Sequence, residues 1–342
     1  MQYHYDIQAY TLRFRQSAGT SRGYYTERKV WFVYVWDPSD PTHVGMGECA
    51  PLPGLSCDDL PNYAEILEAH CQHVARHGSI DSEAIQAYPS MRFGLETALR
   101  HYRQQSFALW DHAFSRGEQS IPINGLIWMG NAGEMRQRIQ EKLEAGFRCL
   151  KLKIGNLDFS TELELLAALR THFDASQLQL RVDANGAFSP KDAAKKLDQL
   201  AAFDLHSIEQ PVAAHQWEVL ADLCSQSPIP IALDEELIHN ISSVQKVELL
   251  DGVKPQYIVL KPSLHGGMQG CDEWIQLAEA RHIGWWITSA LESNVGLNAI
   301  AQWTATKAIH RHQGLGTGAL YHNNIQLPLH VKGDQLWYQQ RD

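Results

Sequence analysis

The chain has 342 residues, 44% hydrophobic and 20% charged, with a formal net charge of −10. That length is long for one core, so two domains are expected, and the composition is that of an ordinary soluble protein. The acidic balance excludes nucleic acid and anionic membrane surfaces as partners, since both need a basic face, and leaves a small molecule as the expected ligand.

No apolar run approaches the ~20 residues of a membrane span. The opening Met1-Gln2-Tyr3-His4-Tyr5-Asp6 has no basic region leading into an apolar stretch, so a cytoplasmic location is expected. Cys49, Cys57, Cys71, Cys149, Cys224 and Cys271 are scattered without a C-x-x-C pair and read as reduced packing residues. His70, His73 and His77 fall on one helical face, which reads as solvated surface rather than a metal site.

Residues 1–120 read as an α+β domain. Tyr3 to Phe14 and Lys29 to Trp36 carry the Tyr, Val, Phe and Trp of strands. The polar run from Ser17 to Gly23 between them predicts a mobile loop near 17–25. A turn at Gly45 to Gly54 follows, and Leu60 to His77 and Met91 to Phe114 carry apolar residues at helical spacing.

From Ile121 the pattern changes to apolar runs alternating with amphipathic helices. The runs end at Gly125, Lys153, Asp183, Glu209, Asp234, Lys261, Ser289 and near Gly314, eight in all, as a closed β/α barrel requires. Ser189-Pro190-Lys191-Asp192 predicts a helix start and Gly146 a helix stop. Beyond Leu320, Ile325 to Leu329 and Gln335 to Tyr338 predict a closing hairpin that packs back on the first domain.

Strand ends of a parallel barrel converge on one mouth. Residues two apart on a strand share a face, so Lys151 and Lys153 point inward together while Leu150 and Leu152 face the helices. Counting the run at Gly125 as the first strand puts these lysines on the second and Lys261 on the sixth, across the ring. Asp183, Glu209 and Asp234 close the third, fourth and fifth. Three carboxylates suit a hard cation, Mg2+ with Mn2+ as the alternative, which offsets the charge of an enolate formed beside a carboxylate. Two ammonium charges ~4 Å apart repel by about 4 kcal/mol at an effective dielectric near 20, so Lys151 is expected to help Lys153 act as a base. Taken singly, each carboxylate also reads as a helix N-cap and the lysine pair as an exposed strand edge. Their joint period favours one site.

At these residues the chain resembles the enolase superfamily and, within it, the family of o-succinylbenzoate synthases of menaquinone biosynthesis. The matching stretches are Gly47 to Gly54, Lys151-Leu152-Lys153, Arg181-Val182-Asp183-Ala184-Asn185, Ile208-Glu209-Gln210-Pro211, Ala232-Leu233-Asp234-Glu235 and Val259-Leu260-Lys261-Pro262. The resemblance spans nearly the whole length. It implies a modified (β/α)8-type barrel, (β/α)7β, at 121–320, a capping domain at 1–120, and a segment at 321–342 that packs back on the cap.

The same resemblance implies metal ligation by Asp183, Glu209 and Asp234 and acid/base chemistry by Lys153. Lys261 would face the enediolate and make a cation-π contact with the ring, and Lys151, Arg181 and Asn185 would support the carboxylate and the metal shell. Thr20, Ser21 and Arg22 would belong to a lid over the substrate. Glu236 stands where many relatives have Ser. The stretch Gly314 to Gly318 lacks the acidic pair of dipeptide epimerases, and the end of the seventh strand lacks the histidine of mandelate racemase relatives. Ser289 and Gly314 are instead expected to bind a carboxylate arm of the substrate, with the helix beginning at Asn294 adding its N-terminal dipole.

The implied activity is a Mg2+-dependent lyase that dehydrates 2-succinyl-6-hydroxy-2,4-cyclohexadiene-1-carboxylate to o-succinylbenzoate by syn elimination through an enediolate. Two alternatives are an N-acylamino acid racemase or another racemase or epimerase of the superfamily, and a non-catalytic metal-dependent carboxylate binder. A homo-oligomer is compatible with the sequence, which does not specify one.

Overall fold

The first two strands run further than their apolar stretches in the computed structural model, which describes residues 3–20 and 23–339. Strand β1 (His4–Thr20) pairs antiparallel with β2 (Gly23–Asp37) from His4↔Trp36 to Thr20↔Gly23, with a register break between Arg13 and Ala18. The polar run read as a loop therefore lies largely in a hairpin. Ala18 pairs with Tyr25 and Gly19 with Tyr24, because main-chain pairing needs no apolar side chain. Ser21 and Arg22 lie outside the described residues.

Strand β3 (Asp40–Cys49) completes the sheet in the order β1-β2-β3. Helices α1 (Tyr63–His77) and α2 (Pro89–Gln104) bury Leu67, Cys71, Val74, Met91, Leu95 and Ala98 against Val33 and Val35 of β2. Helix α2 stops short of the Phe114 expected, at a left-handed Gln105 with φ 55°. It also presses unusually close to β3. A Cβ on Gly47 would stand 1.9 Å from the Gly94 carbonyl oxygen, and one on Gly94 would stand 2.2 Å from Cys49 Sγ.

The second domain begins with the short strands β4 (Ile121–Pro122) and β5 (Gly125–Ile127) and helix α3 (Ala132–Glu144). Then come β6 (Cys149–Lys153), α4 (Phe159–His172), β7 (Gln179–Asp183), α5 (Ala193–Leu200), β8 (Ser207–Glu209) and α6 (Trp217–Gln226). The series ends with β9 (Ile231–Leu233), α7 (Ser243–Val253), β10 (Tyr257–Leu260), α8 (Gly267–Glu279), β11 (Gly284–Ile287) and α9 (Asn294–Ala305). Strands β5 to β11 form one parallel sheet in chain order.

The eighth position is filled by Gln313 and Gly314, which bridge to Ile123 on one side and Thr288 on the other. This closes a (β/α)7β ring, its final member pared down to isolated bridges. Gly146 follows α3 at φ +88°, as a helix stop requires. Ser189 to Asp192 form a turn ahead of α5, tied by Ser189 Oγ donating to Asp192 at 2.7 Å, and the helix proper starts only at Ala193.

The C-terminal segment touches both domains. Leu320 and His322 pair with Arg15 and Arg13 of β1, and Phe14 packs against Tyr321 with ring centroids 4.5 Å apart. The hairpin β12 (Leu329–Lys332) and β13 (Gln335–Tyr338) instead joins β4 at the start of the barrel, because the main-chain polar groups of that two-residue strand need partners. Among the described residues no helix is long and apolar enough to cross a membrane.

The close contact of α2 with β3 has a direct consequence. Gly47→Ala is expected to destabilise the protein by about 1–3 kcal/mol through overpacking against backbone that cannot retreat, which urea unfolding measures.

Candidate active site

Alternation along β6 sends Leu150 and Leu152 into the core shared with the helices and leaves Lys151 and Lys153 facing the barrel interior. The register then sets the carboxylates. Lys153 pairs with Asp183 and Asp183 with Glu209, so these three stand at one level on neighbouring strands. Asp234 follows the last residue of β9, and Lys261 the last of β10. All five positions converge at the mouth.

Lys151 Nζ lies 2.7 Å from Glu209 Oε1 and 2.8 Å from Asp183 Oδ2. Lys153 Nζ lies 2.8 Å from that same Asp183 oxygen and donates to Asn185 Oδ1 at 2.7 Å. Across the ring, Lys261 Nζ donates to both oxygens of Asp234, at 2.6 Å to Oδ1. Asn185, held left-handed at φ 43°, donates its Nδ2 to Glu235 Oε1 at 2.8 Å. The three lysines and the four carboxylates form one buried charge network.

Burial alone would raise the Asp183 carboxyl, but the two ammonium groups beside it hold it well below the usual range. Burial would likewise lower Lys151, and the charges of Asp183, Glu209 and Asp234 outweigh it and keep this amine protonated. Lys261 is also raised: burial opposes its charge, and Asp234 leads the carboxylates that favour it. Glu209 is pushed up by burial and by the Asp183 charge. Glu235, buried beside Asp234 and Asp183, is pushed up to about 7.

Among the described residues, no three Asp, Glu, His or Cys side chains are gathered closely enough to enclose a cation. The lysine ammonium groups occupy the space between the carboxylates. Glu209 Oε2 is nevertheless buried without a hydrogen-bond partner, and four carboxylates face three lysines. An oxygen-rich cradle with an orphaned carboxylate oxygen has the donor chemistry of a hard divalent ion, which Asp183, Glu209 and Asp234 would hold.

Above the network opens a cavity lined by Lys151, Lys153, Asn185, Lys261, Ser289 and Gly314 among others. Ser289 Oγ and Thr317 Oγ1 are hydrogen-bonded at 2.7 Å. Gly314 is required where it stands, since a Cβ there would fall 2.2 Å from Thr288 Oγ1. Arg181 lies elsewhere. One layer below Asp183 and only 1% exposed, it stacks 4.3 Å from the Trp286 ring and donates to the His312 carbonyl at 3.0 Å. Because Trp286 lines the cavity, Arg181 supports the floor from beneath. Thr20 sits at the tip of the β1–β2 hairpin, with Ser21 and Arg22 outside the described residues.

The N-terminus of α9, expected to receive a substrate carboxylate, is already filled. Glu48 from the capping domain accepts from Ser293 N and Gly296 N, each at 2.8 Å. Glu236 is fully buried and accepts from Trp217 Nε1 at 2.6 Å and His215 N at 3.0 Å. It anchors the loop after β8. Sequence reasoning missed Leu52, Leu55, Asn124, Trp128 and Trp286, all of which line the cavity. Leu52 sits in the stretch Gly47 to Gly54 that resembles the family and Leu55 directly follows it, whereas Trp286 reads as ordinary strand filling.

Two family models match the chain: "Enolase C-terminal domain-like" over residues 134–338 and "MenC, N-terminal domain" over residues 4–102. An o-succinylbenzoate synthase of Desulfotalea psychrophila is 46% identical, the match covering 95% of this chain and 96% of that protein. The crystal structure of MenC from Desulfotalea psychrophila matches with a TM-score of 0.83 at 40% identity, over 98% of this chain and 100% of that one. A dipeptide epimerase from Enterococcus faecalis, solved with Mg and the dipeptide L-Leu-L-Tyr, has a TM-score of 0.84 at 20% identity, over 99% and 98% of the two chains. At that identity it shows the shared fold alone.

Lys151 is the countercharge that two buried carboxylates share. Lys151→Met is expected to destabilise the protein by roughly 3–5 kcal/mol, the range for stripping one partner from a buried ion pair, as measured by denaturant unfolding in chelator.

Proposed function

The chain belongs to the enolase superfamily and, within it, to the o-succinylbenzoate synthases, and on that premise we propose how its own residues carry out the dehydration. The observation that carries the reading is the pair of lysine positions facing each other over three strand-end carboxylates in one cavity.

The cyclohexadiene carboxylate enters with its acidic C–H toward Lys153. Bound Mg2+, with Mn2+ as the alternative, would supply Lewis-acid stabilisation of the second negative charge that develops on the carboxylate oxygens. Lys153 takes the proton from the carbon beside the carboxylate, and the electron pair moves into the enediolate. As the ring carbon–oxygen bond breaks, Lys153 returns a proton to the departing hydroxyl on the same face, and water leaves. The ring becomes aromatic, which drives the second step. Lys261 places its positive charge against the ring from the other side. Lys151 and Asn185 hold the carboxylates and the base in register, through the contacts at 2.7 Å to Glu209 and Lys153.

A second reading rests on Lys261. An amine on each side of one cavity suits two-base racemization of an N-acylamino acid, with each lysine serving one face. Solvent deuterium appearing at the α-carbon of N-succinylamino acids of both hands would establish it as a further activity, and exchange into neither would remove it.

Lys153→Ala is expected to lower kcat for dehydration by about 10²–10⁴-fold, the usual contribution of a positioned acid/base group. Mg2+ affinity, read by calorimetry, should stay within a few-fold of wild type; turnover near wild type would contradict the assigned role. Chelation should abolish turnover and lower the melting temperature, and added Mg2+ should restore both.

A further inference from the structure

The floor of the cavity is made of barrel residues, but its side wall comes from two chains of contact that meet at a domain boundary. Leu52 and Leu55 come from the turn after β3, and Ser289, Ala290 and Leu291 from the loop between β11 and α9. Two buried charged side chains of the capping domain tie these segments together. Arg28, on β2 and 2% exposed, donates one guanidinium nitrogen to the Ala290 carbonyl and another to the Ala50 carbonyl. It thus grips both wall segments at once.

Glu48, on β3 and 0% exposed, caps α9 from the other domain by accepting from Ser293 Oγ at 2.5 Å, Ser293 N at 2.8 Å and Gly296 N at 2.8 Å. A carboxylate at a helix N-terminus satisfies orphan amide donors and complements the helix dipole. Here it also fixes where the preceding loop enters the helix. That loop needs fixing: Leu291 is left-handed at φ 64°, a conformation that costs a residue with a Cβ free energy and persists only when its surroundings enforce it. Tyr321 adds a third tie by donating its hydroxyl to the Leu291 carbonyl at 2.5 Å.

We propose that Arg28 and Glu48 are positioning residues for substrate binding, setting the spacing between the cap turn at Leu52–Leu55 and the barrel loop at Ser289–Leu291. The part of the ligand set between those walls is the arm away from the reacting carbon, because Lys153 and the carboxylates lie at the barrel floor. In a substrate of the class assigned above that arm is the succinyl chain, and in this respect the inference rests on the synthase reading. Neither residue lines the cavity, so their effect passes through the backbone they hold.

A clamp that served only cohesion of the domains would change the folded fraction and leave the ligand affinity of the folded protein unaltered. A positioning clamp moves affinity. Glu48→Gln and Arg28→Met, measured at a temperature where each is folded by circular dichroism, are expected to raise KM for the cyclohexadiene acid and the inhibition constant of o-succinylbenzoate about tenfold, the scale of one lost charge-assisted hydrogen bond. Their kcat should stay within about twofold of wild type. Ser293→Ala, which removes one contact to Glu48, should show the same shift at about threefold and decides the matter if the charged-residue variants do not fold. Wild-type KM and inhibition constant in the folded variants would overturn the proposal, as would a fall in kcat with KM unchanged. Wild-type turnover is measured first, and its absence counts against the synthase reading alone; the clamp is then read from calorimetric affinity for o-succinylbenzoate, with the same ratios expected.

Discussion

Negative charge placed at the ends of neighbouring parallel strands is the constraint on which the rest of this protein is arranged. Strands in a sheet lie about 4.8 Å apart, so Asp183 and Glu209, paired in register on β7 and β8, are forced together with both side chains buried. No dielectric available inside a protein makes that arrangement neutral in energy. The barrel answers with ammonium groups from β6 and from the far side of the ring, and every lysine at the mouth rests on a carboxylate. The charges at the mouth are consequently pre-paired, and they are the same groups to which we assign the binding of a hard cation and the movement of a proton.

The capping domain contributes a different kind of order. Its sheet and helices have their own core around Val33, Leu67 and Leu95, but a second apolar cluster runs across the boundary, joining Leu12, Phe32 and Leu52 to Leu264, Leu291 and Val295. Within that apolar contact sit Arg28, whose two terminal guanidinium nitrogens donate to carbonyls on either side of the seam, and Glu48, both of whose carboxylate oxygens accept from the other domain. Burying such groups is tolerable only when their hydrogen bonds are made, so the seam has a preferred geometry where an apolar contact alone would allow sliding.

Much of this was legible in the residues themselves. The run lengths from Ile121 onward and the strand-end positions of Lys153, Asp183, Glu209 and Lys261 follow from a period that only parallel β/α units produce, and alternation along Cys149–Lys153 was enough to turn both lysines inward. What escaped was set by partners distant in sequence. The polar stretch after Ser17 looks like a loop because its side chains say nothing of the backbone ladder with residues Gly23 to Tyr25. The α9 N-terminus looks free until Glu48, 245 positions earlier, is found on it. Arg181 has the right parity for the mouth, yet its place one step down the strand puts it under Trp286. Glu236 departs from the expected Ser for a local reason: it anchors the indole of Trp217 and the amide of His215.

The joining of Tyr10 to Asn323, residues 313 apart, together with the main-chain pairing of Arg13 and Arg15 to residues 320–322, makes the outer edge of the first sheet wait on a stretch synthesised far later. Loop-closure entropy has to be met before such contacts return anything, and high contact order slows folding accordingly. During translation β1 therefore emerges with one flank unsatisfied and stays so until the whole barrel has been made, which leaves the nascent sheet edge as the segment most exposed to pairing with the wrong chain.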